Sequence, residues 1–466
     1  MQRRIMQELV DWKGRRDRRP LVVRGARQVG KTYLVEQFAR EQFQNFVSVN
    51  FDKTPEKAGL LQSRDVTDLI RLLEVDSGCT VVPGQTLIFL DEIQAAPEWL
   101  PMLRYFYEER PDLHVIAAGS LLEFTLAEHE FSMPVGRIEY LHMGPMTFEE
   151  FLLAIGEEAL VAYLGEWHPS TAFPPPFHVK LLGYLRQFMI VGGMPAAIRA
   201  YCQGQHLEDV SRVQQLILQT FADDFSKYRK RVNVRRLRKV FNRLPSLVGR
   251  KLKYVNIDRT EKARDLSDCV ELLAMARVIQ RVRHSSGNGL PLAAEAANRN
   301  FKPIFLDCGL VCSALGVQLT QLQLAEELTL VNDGALCEQF VGQHLLHQQP
   351  AYMQPDLFYW NREKRGSAAE VDYLFPFDTR VLPVEVKAGS TGTLRSLHVF
   401  LQEKGAGLAL RFNSDTPSEL MIRASTVVGE SAVARLVSLP LYLVEQWPRL
   451  VTEEAWVSKG QTSAVY

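Results

Sequence analysis

The sequence lacks several patterns that would assign it directly to a class of proteins. No run of about eighteen apolar residues occurs, and the N-terminal segment MQRRIMQELVDWKGRR has no apolar core of the signal-peptide type. Lysine plus arginine equals aspartate plus glutamate, at 54 each, which excludes a wholly basic nucleic-acid coat. The six cysteines form no CxxC pair, which argues against a disulfide scaffold or a zinc ribbon: Cys79, Cys202, Cys269, Cys308, Cys312 and Cys337. We therefore expect a cytoplasmic protein with reduced thiols and no membrane span.

The length indicates several domains, because 466 residues at about 150 per domain correspond to about three. In the first part, the apolar runs PLVVRGARQ, FVSVNFD, TLIFLDE and LHVIAAGS alternate with helical patterns, which predicts a parallel sheet with its ligand at the carboxyl edge. ARVIQRVRHSS, a GNG turn and KPIFLDCGL predict the β-hairpin of a winged helix. The predicted fold is α/β multidomain: an α/β domain in 1–150, a helical lid or linker in 151–230, a basic winged-helix-like region in 231–320 and a smaller α/β domain in 325–466.

The clearest motif is GARQVGKT, from Gly25 to Thr32, a full match to GxxxxGK[ST] between an apolar run and a helical pattern. In this P-loop pattern, backbone N–H groups of the loop that includes Gly30 surround the phosphates of a nucleotide. Lys31 reaches the β- and γ-phosphate oxygens, and Thr32 binds Mg²⁺. The alternative is a glycine turn without a ligand.

A second motif, LIFLDEIQ, ends an apolar run with two carboxylates. We predict that Asp91 holds Mg²⁺ through water and that Glu92 orients and deprotonates the attacking water. Two solvated acids at a strand end are the alternative. Ser120, after the run HVIAAG, could bond the γ-phosphate or the water, or could simply cap the following helix.

Arg137 lies in the turn VGR, from which a guanidinium could reach the γ-phosphate of a neighbouring subunit. Such an arginine finger requires a homo-oligomer. The alternative is a solvated arginine paired with Glu139 or Glu123.

A second carboxylate set lies near the C-terminus. Glu385 and Lys387 alternate on the apolar run LPVEVKAG and therefore share one strand face, and Asp372 lies on the preceding strand-like run EVDYLF. This D…ExK arrangement is typical of metal-dependent nucleases, in which two carboxylates hold Mg²⁺. Glu338, on an amphipathic helix upstream, is the expected fourth member. The alternative is a solvated strand with alternating charges and no metal site, which would have the same sequence pattern.

Residues 227–253 hold twelve lysines or arginines and no acidic residue. Nucleic acid is the natural partner of such a segment, because neutralising phosphates releases counterions. A solvated helical face, or a patch facing the bound nucleotide or acidic helices, is the alternative.

Together, GARQVGKT, VNFD, LIFLDEIQAAPEW, IAAGSLLEF and VGR followed by GPMTFEEFL resemble the AAA-14 group of AAA+ ATPases. VGGMPAAI, IFLDCGL, LFYWNREKRG, EVDYLF and PVEVKAG in the second half resemble the DUF4143 domain. The resemblance implies an AAA+ P-loop domain, a winged-helix region and a C-terminal domain of the restriction-endonuclease-like, or PD-(D/E)xK, fold. It also implies ATP and Mg²⁺ as ligands.

Two functions are compatible with these patterns. The first is an ATPase that acts on or senses DNA and cleaves it with Mg²⁺ through the C-terminal domain. The second is a nucleotide-gated switch or remodelling ATPase whose nuclease-like domain is inactive and binds DNA or a protein.

Overall fold

The computed structural model describes residues 1–62, 64–120, 136–204, 206–228, 231–316, 333–363, 368–389, 394–425 and 431–452. These residues form two compact units. The first unit consists of Met1–Met146, Glu271–Val278 and Gln349–Pro355, and the second of Thr147–Val270, Ile279–Gln348 and the chain from Asp356 onward. The boundary expected between residues 320 and 325 lies outside the described residues.

The first unit is built on a five-stranded sheet in which every neighbouring pair is parallel, with the strand order β2-β3-β4-β1-β5. This confirms the predicted parallel α/β architecture of the N-terminal part. The elements are α1 (Met6–Gly14), β1 (Leu21–Arg24), α2 (Lys31–Gln42), β2 (Asn45–Asn50), α3 (Val66–Ser77), β3 (Thr86–Asp91), α4 (Met102–Glu109), β4 (His114–Gly119) and β5 (Glu139–His142).

The central strands of this sheet are buried on both faces, which explains their continuous apolar sequences. All six residues of β3 and of β4 are buried. The helix α3 shows how the flanking layer is fixed, because the Asp65 carboxylate caps its N-terminus by accepting from the N–H groups of Thr67 and Asp68. The buried face of α3 packs in the same core as β2 and β3. The rigid sheet therefore holds the loops at its carboxyl edge in place.

The second unit begins with helices and contains further helices between its strands. Thr147 starts the first of them with a capping box in which its hydroxyl and the Glu150 side chain each bind the other residue's backbone N–H. The helices are α5 (Phe148–Ala154), α6 (Glu158–Glu166), α7 (Pro175–Val191), α8 (Pro195–Gly204), α9 (Leu207–Asp224), α10 (Val234–Arg243), α11 (Ala263–Met275, which belongs to this unit up to Val270), α12 (Cys308–Ala314), α13 (Asp333–His347), α14 (Arg395–Lys404) and α15 (Trp447–Thr452).

Its described strands form one eight-stranded sheet with the order β12-β13-β11-β10-β9-β8-β6-β7. The strands are β6 (Ile279–Ser285), β7 (Ala296–Phe305), β8 (Leu357–Arg362), β9 (Ala369–Phe377), β10 (Arg380–Val386), β11 (Leu408–Asn413), β12 (Ser418–Ser425) and β13 (Ser431–Pro440).

The predicted hairpin is present as the antiparallel pair β6–β7, but it is not a separate wing. β6 also pairs in parallel with β8, in the register Val282 opposite Leu357. The physical reason is burial: Ile279, Val282, Phe301 and Ile304 are all at most 3% exposed, whereas a solvated wing would leave one face open. The hairpin is therefore part of the C-terminal sheet.

Two of the sequence motifs meet inside this unit. Gly192, at the C-terminal end of α7, has φ +75° and ψ −177°, and a Cβ there would lie 2.0 Å from Asp307 Oδ1. The Asp307 carboxylate accepts hydrogen bonds from the N–H groups of Gly193 (2.6 Å) and Leu310 (3.1 Å). Burial raises the pKa of Asp307 to about 6, although these donors oppose the shift. VGGMP and IFLDCGL thus form a packing contact.

Candidate nucleotide and carboxylate sites

The loop from Gly25 to Thr32 connects β1 to the N-terminus of α2, as its sequence predicts. Gly30 has φ +95° at the N-cap of α2. A Cβ on Gly25 would lie 2.3 Å from the backbone oxygen of Met143, so only glycine fits where the loop crosses the end of β5. The loop therefore turns tightly and directs its chain onto the helix N-terminus, an arrangement that binds phosphate.

Lys31 is buried in this loop at 6% exposure. Its Nζ donates to the backbone oxygens of Gly25 (3.0 Å) and Ala26 (2.9 Å). Burial lowers the pKa of Lys31 to about 8, and the carboxylates of Glu92 and Asp91 oppose this shift. The ammonium group is thus held by neutral carbonyl groups, which phosphate oxygens can replace as stronger, charged acceptors.

Thr32 and Asp91 meet at the start of α2. Thr32 Oγ1 donates to Asp91 Oδ2 over 3.0 Å, and Asn50 Nδ2 donates to the same oxygen over 2.7 Å. Burial, followed by repulsion from Glu92, raises the pKa of Asp91, whereas these two hydrogen bonds lower it. The hydroxyl and carboxylate oxygens that Mg²⁺ would use are therefore already adjacent.

Glu92 follows directly in a left-handed backbone conformation, with φ +51°. This conformation is costly for a non-glycine residue and turns the side chain away from the strand direction. Ser120 Oγ donates to Glu92 Oε2 over 3.3 Å, and Gln94 Nε2 donates to the same oxygen. Ser120 thus contacts Glu92, and its predicted bond to the γ-phosphate or the water stays a prediction.

Three residues near this site were missed by the sequence analysis. Asn50 is brought to Asp91 because β2 lies beside β3 in the register Asn50 opposite Asp91. Gln94 orients Glu92. Arg277 has φ +59°, and its charge contributes to lowering the pKa of Lys31. Asn50 ends the predicted strand FVSVNFD and could have been found as a polar residue at the carboxyl edge; nothing local indicated Arg277.

Arg137 lies at the opposite edge of the same sheet. It precedes Glu139, which pairs with Leu21 at the amino end of β1, while the P-loop leaves the carboxyl end of that strand. Because β1 has four residues at about 3.3 Å each, these two edges are about 13 Å apart. Arg137 forms an ion pair with Glu108 (2.8 Å), and Glu139 pairs with Arg15 instead. Arg137 is not brought together with Lys31 of its own chain; Glu123 lies outside the described residues.

The C-terminal carboxylates do lie on neighbouring strands. β9 and β10 pair antiparallel, with Val384 opposite Tyr373. When this register is continued by one residue, Glu385 lies opposite Asp372. Asp372 Oδ2 accepts from the N–H of Val386 (2.8 Å), and Lys387 Nζ lies 2.6 Å from Glu385 Oε1. Burial and repulsion from Asp372 raise the pKa of Glu385.

Glu338, the expected fourth member, contacts a residue that the sequence analysis did not include. Lys302 on β7 is 1% exposed, and its Nζ lies 3.1 Å from Glu338 Oε2, 3.1 Å from Glu370 Oε1 and 3.7 Å from Asp372 Oδ1. Burial would lower the pKa of Lys302, but the carboxylates outweigh it and raise the pKa well above its ordinary value. These carboxylates thus surround an ammonium group.

The predicted metal set of Glu338, Asp372 and Glu385 does not fit Mg²⁺ in this arrangement. Among the residues that the structure describes, no group of three or more histidine, cysteine, aspartate or glutamate side chains is arranged to hold a metal ion. Glu338 and Asp372 point at Lys302, and Glu385 at Lys387.

At least five of the ten described cations in the basic stretch 227–253 pair with acidic residues from outside it. Arg236 binds Glu261 (2.7 Å) and Asp265 (3.0 Å), and Lys239 binds Asp258. Further pairs join Lys227 to Asp224, Arg238 to Asp223 and Lys251 to Glu363, while Arg229 and Lys230 lie outside the described residues. These acidic residues therefore offset part of the positive charge that the segment's sequence indicates.

Family models match three parts of the chain. A model described as an AAA domain matches residues 17–152, which include the whole P-loop site. The DUF4143 model, a domain of unknown function, matches 333–420, which include Glu338, Asp372, Glu385 and Lys387. A second domain of unknown function, DUF8612, matches 182–321, so VGGMPAAI and IFLDCGL lie in this model's range instead of that of DUF4143. The predicted AAA-type and DUF4143 parts are thereby confirmed.

Solved structures with some similarity include the Walker-type ATPase PABY2304 of Pyrococcus abyssi, at 14% identity and a TM-score of 0.42, over 66% of this chain and 94% of that one. The ORC2 protein of Aeropyrum pernix in its ADPNP–ADP complexes has 10% identity and a TM-score of 0.35, over 68% and 92%. The RuvB Holliday junction branch migration motor of Thermotoga maritima has 15% identity and a TM-score of 0.24, over 60% and 86%. No curated protein matches the sequence. No helix among the described residues is long and apolar enough to cross a membrane.

Proposed function

We propose that this protein binds and hydrolyses ATP with Mg²⁺ at the carboxyl edge of its N-terminal sheet. The main observation behind the proposal is that Lys31 and Thr32, which follow β1, meet Asp91 and Glu92, which lie at the end of β3. In the sheet, β4 lies between these two strands. A glycine turn without a ligand would not need a buried lysine whose hydrogen bonds, among the described residues, all go to loop carbonyls. The match of residues 17–152 to an AAA domain supports the same function.

Each residue then has a separate role. Lys31 exchanges its two carbonyl acceptors for phosphate oxygens and balances their charge. Thr32 and Asp91 hold Mg²⁺, which neutralises charge on the phosphate oxygens when it is bound. Asn50 keeps Asp91 oriented through its 2.7 Å hydrogen bond.

Glu92 orients the attacking water and accepts its proton. Gln94 and Ser120 both donate to Glu92 Oε2, which leaves Oε1 available for the water. The left-handed backbone at Glu92 supports this role, because such strain concentrates at functional sites.

The test compares Lys31→Ala and Glu92→Gln with wild type for binding of a fluorescent ATP analogue and for phosphate release. We expect Lys31→Ala to lose binding, and Glu92→Gln to bind normally but hydrolyse at least about 100-fold more slowly. Lys53→Ala and Glu98→Gln are matched controls, since both residues are exposed in the same unit. Full turnover by Glu92→Gln would remove Glu92 as the base.

We further propose that Arg137 acts on the nucleotide of a neighbouring copy in a homo-oligomer. Its position at the sheet edge opposite its own P-loop supports action in trans. Arg137→Ala should then lower ATP hydrolysis about 10³-fold or more. Arg104→Ala is the matched control, because Arg104 pairs with the same Glu108 (3.0 Å). Hydrolysis that rises only linearly with concentration, from a monomeric protein, would contradict the proposal.

DNA is the proposed partner, with phosphodiester cleavage by the nuclease-like C-terminal domain as the second candidate function. The adjacency of Asp372, Glu385 and Lys387 supports a phosphate-directed site, and Glu385 Oε2 is buried without a hydrogen-bond partner among the described residues. The ion pairs of Lys302 with Glu338 and Asp372 argue against DNA cleavage by this domain but are compatible with DNA binding. A nucleotide-gated switch that binds DNA without cutting it is therefore the version we favour.

Two assays test the DNA proposal. Duplex binding is measured at about 50 and 200 mM salt with Arg235→Glu and Lys253→Glu, two exposed residues without an ion pair to any described residue, and with Arg212→Glu as a control in the same unit. Binding that survives both changes and is insensitive to salt would favour a protein partner. Plasmid cleavage under Mg²⁺, lost in Asp372→Ala, would establish the nuclease.

A further inference from the structure

Lys302 stands apart from the other lysines that the structure describes because its ammonium group is enclosed by acidic side chains. It extends from β7, opposite Val282 of β6, and meets Glu338 on α13 and Glu370 and Asp372 on β9. The rings of Tyr359 and Tyr373 lie 5.3 and 5.8 Å from Nζ and complete the enclosure. Three separate elements therefore build this environment.

The distances match an ammonium group and not a metal ion. Nζ is 3.1 Å from two carboxylate oxygens and 3.7 Å from a third, within the range of hydrogen bonds and ion pairs. Divalent cations in oxygen sites need contacts of about 2.0–2.6 Å, which this set could reach only if Lys302 left. An ammonium group has three donors; Lys302 donates hydrogen bonds to Glu338 and Glu370 and forms an ion pair with Asp372.

The surroundings also hold the carboxylates in place. Tyr373 Oη donates to the backbone oxygen of Glu338 (2.7 Å), and a Cβ on Gly342 would lie 2.4 Å from that Oη, so α13 packs closely on β9. The carboxylate of Asp372 is fixed by the N–H of Val386. The helix α13 and the strand β9 are thus held close together beside Lys302.

We propose that Lys302 is a built-in cation that holds the metal position of the C-terminal carboxylate cluster and closes it to divalent ions. The cluster then stabilises the sheet and supplies a fixed charge pattern, and the domain does not perform metal-dependent cleavage. This inference is independent of ATP hydrolysis in the first unit.

The test measures Mn²⁺ binding to nucleotide-free protein by electron paramagnetic resonance. Wild type should bind none at the cluster, whereas Lys302→Ala, which vacates the position of the ammonium group, should gain about one Mn²⁺ per chain. Adding Asp372→Asn to Lys302→Ala should abolish the gained site. Lys251→Ala is the matched control, since Lys251 pairs with Glu363 at the surface of the same unit, and it should gain nothing.

Each outcome decides the proposal. One Mn²⁺ bound by wild type and lost in Asp372→Asn would overturn it, and this measurement does not depend on whether Lys302→Ala folds. A folded Lys302→Ala that binds no Mn²⁺ would overturn it too. Normal ATP hydrolysis beside either result separates its failure from failure of the proposed ATPase.

Discussion

Replacing Gly192 with alanine should destabilise the second unit more than any surface change. Gly192 has φ +75° and ψ −177°, a backbone region that is essentially restricted to glycine, which costs another residue about 1–3 kcal/mol. The new Cβ would also lie 2.0 Å from Asp307 Oδ1 and 2.8 Å from its Cγ. The carboxylate must therefore move.

Moving the Asp307 carboxylate breaks its 2.6 Å hydrogen bond from the N–H of Gly193. A hydrogen bond to a charged group contributes about 1.5–3 kcal/mol, so the total loss should be about 3–6 kcal/mol. Gly183→Ala is the matched control in the same helix. A Cβ there meets nothing within 4 Å, and alanine inside a helix should stabilise by about 0.5–1 kcal/mol.

The assay is urea unfolding followed by tryptophan fluorescence and circular dichroism, with transition midpoints compared between variants because a chain with two units need not unfold in one step. Combining Gly192→Ala with Asp307→Ala should cost clearly less than the sum of the two changes, since both remove the same contact. A Gly192→Ala midpoint equal to that of Gly183→Ala, or strict additivity, would refute the reasoning.

Two further predictions concern the first unit. Asn50→Ala removes the 2.7 Å hydrogen bond to Asp91 but leaves that of Thr32. It should lower the apparent affinity for Mg²⁺ in ATP hydrolysis about 10-fold. An unchanged Mg²⁺ titration would contradict the role of Asn50. Burial lowers the pKa of His114 from its usual 6.5 to about 4, so the unfolded chain gains a proton first as pH falls. Between pH 7 and pH 5, the free energy of unfolding of wild type should therefore fall by about 2 kcal/mol because of His114. The thermal midpoint of His114→Phe should fall correspondingly less over the same pH range.

The N-terminal site was predictable because its signals are local. A P-loop needs glycine, lysine and threonine within eight positions, and Gly25 to Thr32 supply them between a strand and a helix. Asn50 was harder, because its role depends on which strand lies beside β3, and strand order is not encoded in a local pattern.

The C-terminal cluster shows the opposite case. Asp372, Glu385 and Lys387 were predicted from spacing on strands, but Lys302 lies 36 residues from Glu338 and 68 from Glu370. Lys302 belongs to the segment KPIFLDCGL, which the sequence pattern predicted to be part of the hairpin of a winged helix. A single buried lysine changes the chemistry of the cluster, and only the tertiary fold brings it there.

In the basic stretch, acidic neighbours in the fold offset part of the charge that the sequence indicates. Its twelve cations were counted without their partners, and several of those partners, including Asp258, Glu261 and Asp265, follow just after the window. Charge in a segment predicts the charge of a surface only when the neighbours in space are also known.

The strand order of the second unit also constrains how the protein can be made and divided. During synthesis the hairpin β6–β7 emerges well before β8, so one of its edges stays unpaired until the later strands arrive, and this long-range pairing is slow to form. A fragment starting at residue 325 would keep β8 but leave its edge bare, which favours aggregation. It would also separate Glu338, Glu370 and Asp372 from their only enclosed ammonium group among the described residues, so such a fragment should be studied only together with residues 279–305.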